Sequence, residues 1–153
     1  MEDQKKLKKE LFQFCEIFVS NKIETIKANL SNIQEALTSE TKSSAGDKHE
    51  TGRAMLQIER EKLGERLKVA EEMGNTLFSI NQGEESIRIG LGSLVFTSNN
   101  NFYIAIPSGL YSNQVEKVYC ISLQSPIGNL LFGKAKGDFF EFNGKRVDIL
   151  SVE

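Results

Sequence analysis

The stretch LKKELFQFCEIFVSNKIETIKANLSNIQEAL, running from Leu7 to Leu37, decides the fold. Apolar residues recur at Leu7, Leu11, Phe14 and Phe18, then at Ile23, Ile26, Leu30, Ile33 and Leu37, in steps mostly of three and four. That spacing draws one apolar stripe along one side of a helix. Neither Pro nor Gly interrupts it, and near Phe18 and Val19 the stripe slips by one residue, as a change of coiled-coil phase requires. One long helix is predicted. At about 1.5 Å per residue, roughly 30 residues make a helix on the order of 45 Å long, and alone it would leave its stripe in water.

The partner follows directly. Thr38 to Gly46 is a run of small and polar residues that stops a helix and turns the chain. A second helical pattern then places Met55, Ile58, Leu63, Leu67, Ala70 and Met73 on one side, with Gly74 and Asn75 as its expected C-cap. The short connection favours an antiparallel hairpin over residues 1–76, with its tip near residues 38–50. After Asn75 the period shortens to β-type runs at Ser86–Ile89, Leu94–Thr97, Asn101–Pro107, Lys117–Ser122, Asp138–Phe142 and Lys145–Ser151. Ser125-Pro126 caps a helix of two turns that Gly133 closes, and Asn143-Gly144 is a two-residue hairpin signal. The expected class is therefore α+β, a helical coiled-coil hairpin followed by a small antiparallel β domain with one short helix at 80–153.

Charge narrows the function. The 19 basic and 21 acidic side chains leave a formal net charge of −2, which argues against nonspecific duplex nucleic-acid binding through massed Lys and Arg. Met1 to Glu10 is dominated by charge, with no apolar segment of a secretory signal, and no apolar run approaches a membrane span. Cys15 and Cys120 stand far apart in the chain and suit a reducing cytosol, as two small core residues rather than a disulfide framework or zinc site. A cytoplasmic protein is expected.

At the predicted tip stands Gly46-Asp47-Lys48-His49-Glu50. Asp47 and Glu50 are three residues apart, so both carboxylates can share a helix face and point outward together. The same spacing is also a capping box, in which the two acids only satisfy free backbone N–H groups. His49 between them is a group able to titrate near neutral pH, or simply a polar tip residue.

A second stretch weighs on that choice. Ile121-Ser122-Leu123-Gln124-Ser125-Pro126-Ile127-Gly128-Asn129-Leu130-Leu131-Phe132-Gly133-Lys134, followed by Gly137-Asp138, closely resembles the signature of the GreA/GreB transcription elongation factors: Ser-Pro-[Ile/Leu], a short apolar helix, Gly-Lys and a Gly-Asp turn. The resemblance covers nearly the whole chain in order, and it implies that the β domain is FKBP-like. The family tip Gly-Asp-Leu-Lys-Glu aligns with residues 46–50 without a gap, so the resemblance gives Asp47 and Glu50 the role of the functional acids. The family continues Asn-Ala-Glu-Tyr where this chain has Thr51-Gly52-Arg53-Ala54, so the aromatic and one acid are missing.

What the resemblance implies is a non-enzymatic cofactor of bacterial RNA polymerase. Its hairpin would enter the secondary channel, where the 3′ end of backtracked RNA is extruded, and stimulate cleavage by the polymerase. Two carboxylates cannot build a private magnesium site, because Mg2+ demands near-octahedral oxygen coordination, but they can complete one shared with the polymerase. Asp47 and Glu50 are thus expected to hold a second Mg2+ jointly with the polymerase, the isolated protein binding none. Lys48, Arg53 and Arg60 are candidate RNA contacts, with a solvated helix face as the plainer alternative. A monomer without membrane contact is expected. The alternatives are a channel-binding regulator that inhibits without stimulating cleavage, and a coiled-coil adaptor with no polymerase involved.

Overall fold

A computed structural model of the chain has two long helices, α1 (Glu2–Lys42) and α2 (Gly46–Phe78), then β1 (Leu94–Thr97), β2 (Asn101–Ile104), β3 (Gly109–Ser112), β4 (Lys117–Ile121), α3 (Pro126–Leu131), β5 (Phe139–Phe142) and β6 (Lys145–Val152), an α+β chain. Residues 2–42 and 46–153 are described, with the side chains of residues 40–49 outside the description. Two compact units result, one formed by Val19–Gly74 and the other by Met1–Phe18 together with Asn75–Glu153. Residues up to Phe18, which their period groups with the hairpin, thus share a unit with the sheet.

In the hairpin unit, α1 turns Val19, Ile26, Ile33 and Leu37 inward as buried residues, with Ile23 and Leu30 half-buried between them. These positions alternate steps of four and three, the 3.5-residue period of a coiled-coil seam. On α2 the inward residues are Leu56, Leu63, Leu67, Ala70 and Met73. Met55 and Ile58, expected on that seam, are 64% and 52% exposed. Counting back from Ala70 by threes and fours through Leu67 and Leu63 reaches Leu56, so the neighbouring apolar residues fall to one side. Helical structure also extends further than small polar residues suggest. Thr38 lies within α1 and donates its Oγ1 hydrogen bond to the Gln34 carbonyl at 2.9 Å, so its hydroxyl is satisfied inside the helix. Gly74 and Asn75 do not end α2, because Leu77 is buried one step further along the same period. The last turn closes instead at Ser79, whose Oγ donates to the Thr76 carbonyl at 2.6 Å.

In the other unit the six strands form one sheet in the order β3-β4-β2-β1-β6-β5. Every neighbouring pair is antiparallel except β2 and β4, which run parallel with Tyr103 opposite Cys120. The chain leaves β2, forms β3 at the sheet edge, and returns as β4 between them. The Ser86–Ile89 run predicted as a strand makes a single bridge, Arg88 to Ala135, while β3 replaces it as an edge strand. Alternation along the strands gives the sheet two buried faces. On one face Val95, Phe102, Ile104, Val147 and Ile149 cluster with Leu131 of α3 and with Ile89. On the other lie Tyr103, Val118 and Cys120, all buried, and the first turns of α1 cover this side with Leu7, Leu11 and Cys15. Phe14 packs edge-on against Tyr111 with ring centroids 5.4 Å apart, and the Tyr111 hydroxyl donates to Glu10 at 2.7 Å. At the β5–β6 turn Asn143 and Gly144 have φ of 54° and 77°, the doubly left-handed turn their dipeptide encodes.

Candidate functional site

The hairpin tip is built by two helix ends. α1 runs to Lys42 and α2 begins at Gly46, so the expected turn near residues 38–50 is mostly helical. Asp47 and Glu50 are therefore both positions of the first turns of α2, one turn apart on the same side of the helix. A helix N-terminus favours negative charge there, since its unpaired N–H groups carry partial positive charge. Glu50 is exposed. The side chains of Asp47, Lys48 and His49 lie outside the described residues.

Of the three basic candidates, Arg60 is exposed on the outside of α2. Arg53 is different. It is half-buried and its Nη1 donates to the Leu37 carbonyl of α1 at 3.1 Å, a cross-helix clip one turn inside the tip. Arg is suited to this because its planar fork serves several acceptors at once while its stem packs on apolar neighbours. Arg53 stands where the GreA/GreB pattern has an acid, so the departure in sequence coincides with a contact that braces the hairpin. Sequence spacing could not reveal it, because the acceptor is a backbone atom of the other helix.

Further along the hairpin a groove of about 460 Å³ opens where Asn29 and Asn32 of α1 face Lys62 and Arg66 of α2. Ile33 and Leu63 of the apolar seam form part of its lining, and these polar side chains with Glu59 form the rest. Among the described residues, no group of three or more His, Cys, Asp or Glu could hold a metal ion. No described helix is long and apolar enough to cross a membrane.

The stretch that carries the family resemblance performs a local structural task in the sheet unit. Ser125 caps α3, its Oγ accepting from the Gly128 N–H at 3.0 Å and donating to the Ser122 carbonyl at 2.8 Å. Pro126 occupies the first turn, where its missing N–H costs nothing. Gly133 has φ of 80° after the helix, and Lys134 Nζ donates back to the Leu130 carbonyl at 2.6 Å. Asp138 closes the Gly137 turn by accepting from the Ala135 N–H at 2.8 Å. These residues shape a short helix and its exit, and the chemistry of the tip has to be argued from the tip.

No protein-family model matches the chain, and no curated protein is similar to it. A solved structure described as that of the transcription factor Gfh1 aligns with 88% of this chain and 90% of its own at 20% identity, with a TM-score of 0.33. At that level of superposition nothing about the site passes from one chain to the other.

Proposed function

We propose that this protein is a transcription elongation factor that inserts its helical hairpin into the secondary channel of bacterial RNA polymerase and stimulates cleavage of backtracked RNA by the polymerase. The observation that carries the reading is the helix register at the tip. Positions 47 and 50 fall on one side of the first turns of α2, and Glu50 is open to solvent at the end of a paired, two-helix seam. A carboxylate pair at such an end is deliverable to a partner's site, whereas one within the seam would be sheltered. The Ser125–Lys134 resemblance supports the same family reading from the other unit.

In this reading the protein is a cofactor and not an enzyme. Asp47 and Glu50 would help to hold a second Mg2+ coordinated mainly by the polymerase, which would supply water activation and charge stabilisation at the phosphate. Lys48 and Arg60 position the phosphates of the extruded 3′ end, and Arg53 keeps the two helices together behind them.

The test is to add the purified protein to stalled, backtracked polymerase and follow the transcript. Wild type should shorten the RNA from its 3′ end. The Asp47→Ala/Glu50→Ala variant should lose that activity while still copurifying with polymerase and keeping its helical circular dichroism. Binding without shortening by wild type would assign the inhibitory role, and absence of copurification would leave an adaptor unrelated to polymerase.

A further inference from the structure

A cavity of about 220 Å³ opens in the sheet unit where the first turns of α1 meet the connection from α2 to β1. Lys5, Lys8 and Lys9 line it from α1, and their spacing of three and four puts all three side chains on one side of that helix. Gly83 and Glu85 line it from the connection, and Tyr103 of β2 forms part of its wall. Lys5 lies 4.0 Å from Glu85, but both side chains are more than half exposed, and an ion pair so open to water is screened and weak. Lys8 is half-buried. Desolvation holds its ammonium below the usual lysine range, while Glu85 and Glu153 act in the opposite sense. Among the described residues no carboxylate lies within ion-pair distance of Lys8 or Lys9.

Tyr103 is the residue that points to an occupant. It is 1% exposed, yet no described residue hydrogen-bonds to its hydroxyl. A buried tyrosine hydroxyl ordinarily finds a partner, because without one it forfeits the hydrogen bonds that water supplied. The cavity whose wall it forms is where such a partner fits. A phenolic O–H and three ammonium groups can all donate, so their complement is an acceptor that carries negative charge. At about 220 Å³ the space is smaller than the roughly 300–1,000 Å³ of sites that enclose a drug-sized ligand, which selects a small group. Three ammonium groups face the single carboxylate of Glu85, so the lining keeps two positive charges without a partner, and a phosphate group near neutral pH carries about that much negative charge.

We propose that this cavity binds a phosphate group, with Lys8 and Lys9 as its counter-charges and the Tyr103 hydroxyl donating to one of its oxygens. Lysine suits the task as a flexible point charge that can meet any phosphate oxygen. Occupation gives desolvated Lys8 the opposite charge it lacks and gives Tyr103 a partner. It also ties the first turns of α1 to the connection and to β2, so the folded sheet unit gains stability as phosphate concentration rises. Inorganic phosphate and the phosphate of a phosphomonoester share this chemistry. Neither the hairpin tip nor α3 takes part, and the inference does not rest on the function proposed above.

The experiment titrates the isotope-labelled full-length protein with sodium phosphate and follows its amide chemical shifts, with sodium chloride at matched ionic strength as the reference. The amides of Gly83 and Gly92, both at the cavity, should shift and saturate with phosphate and stay in place with chloride. Lys8→Gln and Tyr103→Phe should each weaken binding by about tenfold, the worth of one hydrogen bond to a charged group. Lys27→Gln, in the hairpin unit, should leave it unchanged. Adenosine monophosphate and adenosine separate the two sources. Saturation by the monophosphate but not by adenosine supports a phosphomonoester, and saturation by inorganic phosphate alone supports the free ion. Shifts that grow without saturating, or that spread over the exposed lysines of both units, would mean screening of surface charge and overturn the proposal. Saturation that survives both Lys8→Gln and Tyr103→Phe would overturn it as well. If either variant folds poorly the wild-type titration decides alone, since no saturable shift at Gly83 and Gly92 leaves no site.

Discussion

Gly128→Ala and Gly64→Ala are the same chemical change in two helices, and the structure assigns them opposite signs. A Cβ at Gly128 would lie 2.1 Å from the Ser122 carbonyl oxygen, 2.8 Å from Ser125 Oγ and 2.9 Å from the Leu123 carbonyl oxygen. Carbon and oxygen rarely approach closer than about 3.3 Å, so the first contact demands a displacement of roughly 1 Å. The Ser122 oxygen is not free to move, since it accepts from Ser125 Oγ at 2.8 Å and from Ser125 N at 3.2 Å. Relief therefore opens the cap of α3. Overpacking costs about 1–3 kcal/mol and a lost cap about 0.5–2 kcal/mol, against which better helix propensity returns at most about 1 kcal/mol. A net loss of about 2–3 kcal/mol is expected, lowering the melting point of a domain of this size by roughly 10–20 °C. Gly64 has no atom within 4 Å of its Cβ position, so alanine there should stabilise the hairpin by about 0.5–1 kcal/mol.

The chain offers a way to read the two units separately. It has no Trp, and its 3 tyrosines are Tyr103, Tyr111 and Tyr119, all in the sheet unit. Tyrosine fluorescence therefore follows that unit, while far-UV circular dichroism is dominated by α1 and α2. Gly128→Ala should move the fluorescence transition down and Gly64→Ala should move the dichroism transition up. A Gly128→Ala protein whose fluorescence transition matches wild type would refute the steric reasoning.

Two further outcomes follow from burial. Leu56→Ala should destabilise the hairpin by about 1–2 kcal/mol, below the roughly 2–5 kcal/mol of a fully buried leucine because Leu56 is only half-buried, while Met55→Ala should stay within about 0.5 kcal/mol of wild type in dichroism-monitored urea unfolding. Equal effects would mean that the seam has been traced through the wrong residues. Tyr103, 1% exposed, has its hydroxyl pushed well above its ordinary range, first by burial and then by the neighbouring Cys15 and Cys120. Its neutral form is favoured in the folded state, so this stabilisation is intact below about pH 10 and is lost as pH rises beyond it, when the unfolded tyrosine ionises and the folded one resists. Urea midpoints measured by dichroism should fall above that pH in wild type and fall less in Tyr103→Phe. A parallel decline in both proteins would remove Tyr103 as the cause.

The elements most legible in the sequence were those whose signals are local. Ser125-Pro126 and Asn143-Gly144 act on atoms within a few residues, and the cap and the left-handed turn stand where those residues put them. The long helices were legible from their period, but their ends were not, because Thr38 back-bonds within α1 and Leu77 carries α2 past Gly74 through burial. β3 escaped because an edge strand with mostly exposed side chains shows little alternation, and its pairing is decided by β4. Ser86–Ile89 looked like a strand by composition, yet only Arg88 finds a bridge partner. At the tip, the spacing of Asp47 and Glu50 was on the page, whereas the clip from Arg53 to Leu37 needed the second helix. The meeting of Cys15 with Ser108, 93 residues apart in the chain, lay furthest from view, since only the folded sheet unit brings them together.

The division of the chain has a consequence for its birth on the ribosome. Residues 19–74 form a compact unit by themselves, so the hairpin has what it needs to zip as soon as α2 has emerged. Phe14 and Cys15 emerge earlier but wait for Tyr111 and Ser108. At synthesis rates of about 5–20 residues per second that interval is on the order of ten seconds, during which the apolar start of α1 has no sheet to cover. The nascent chain thus resembles a finished insertion carried within an unfinished host, and the host is completed by the strands made last.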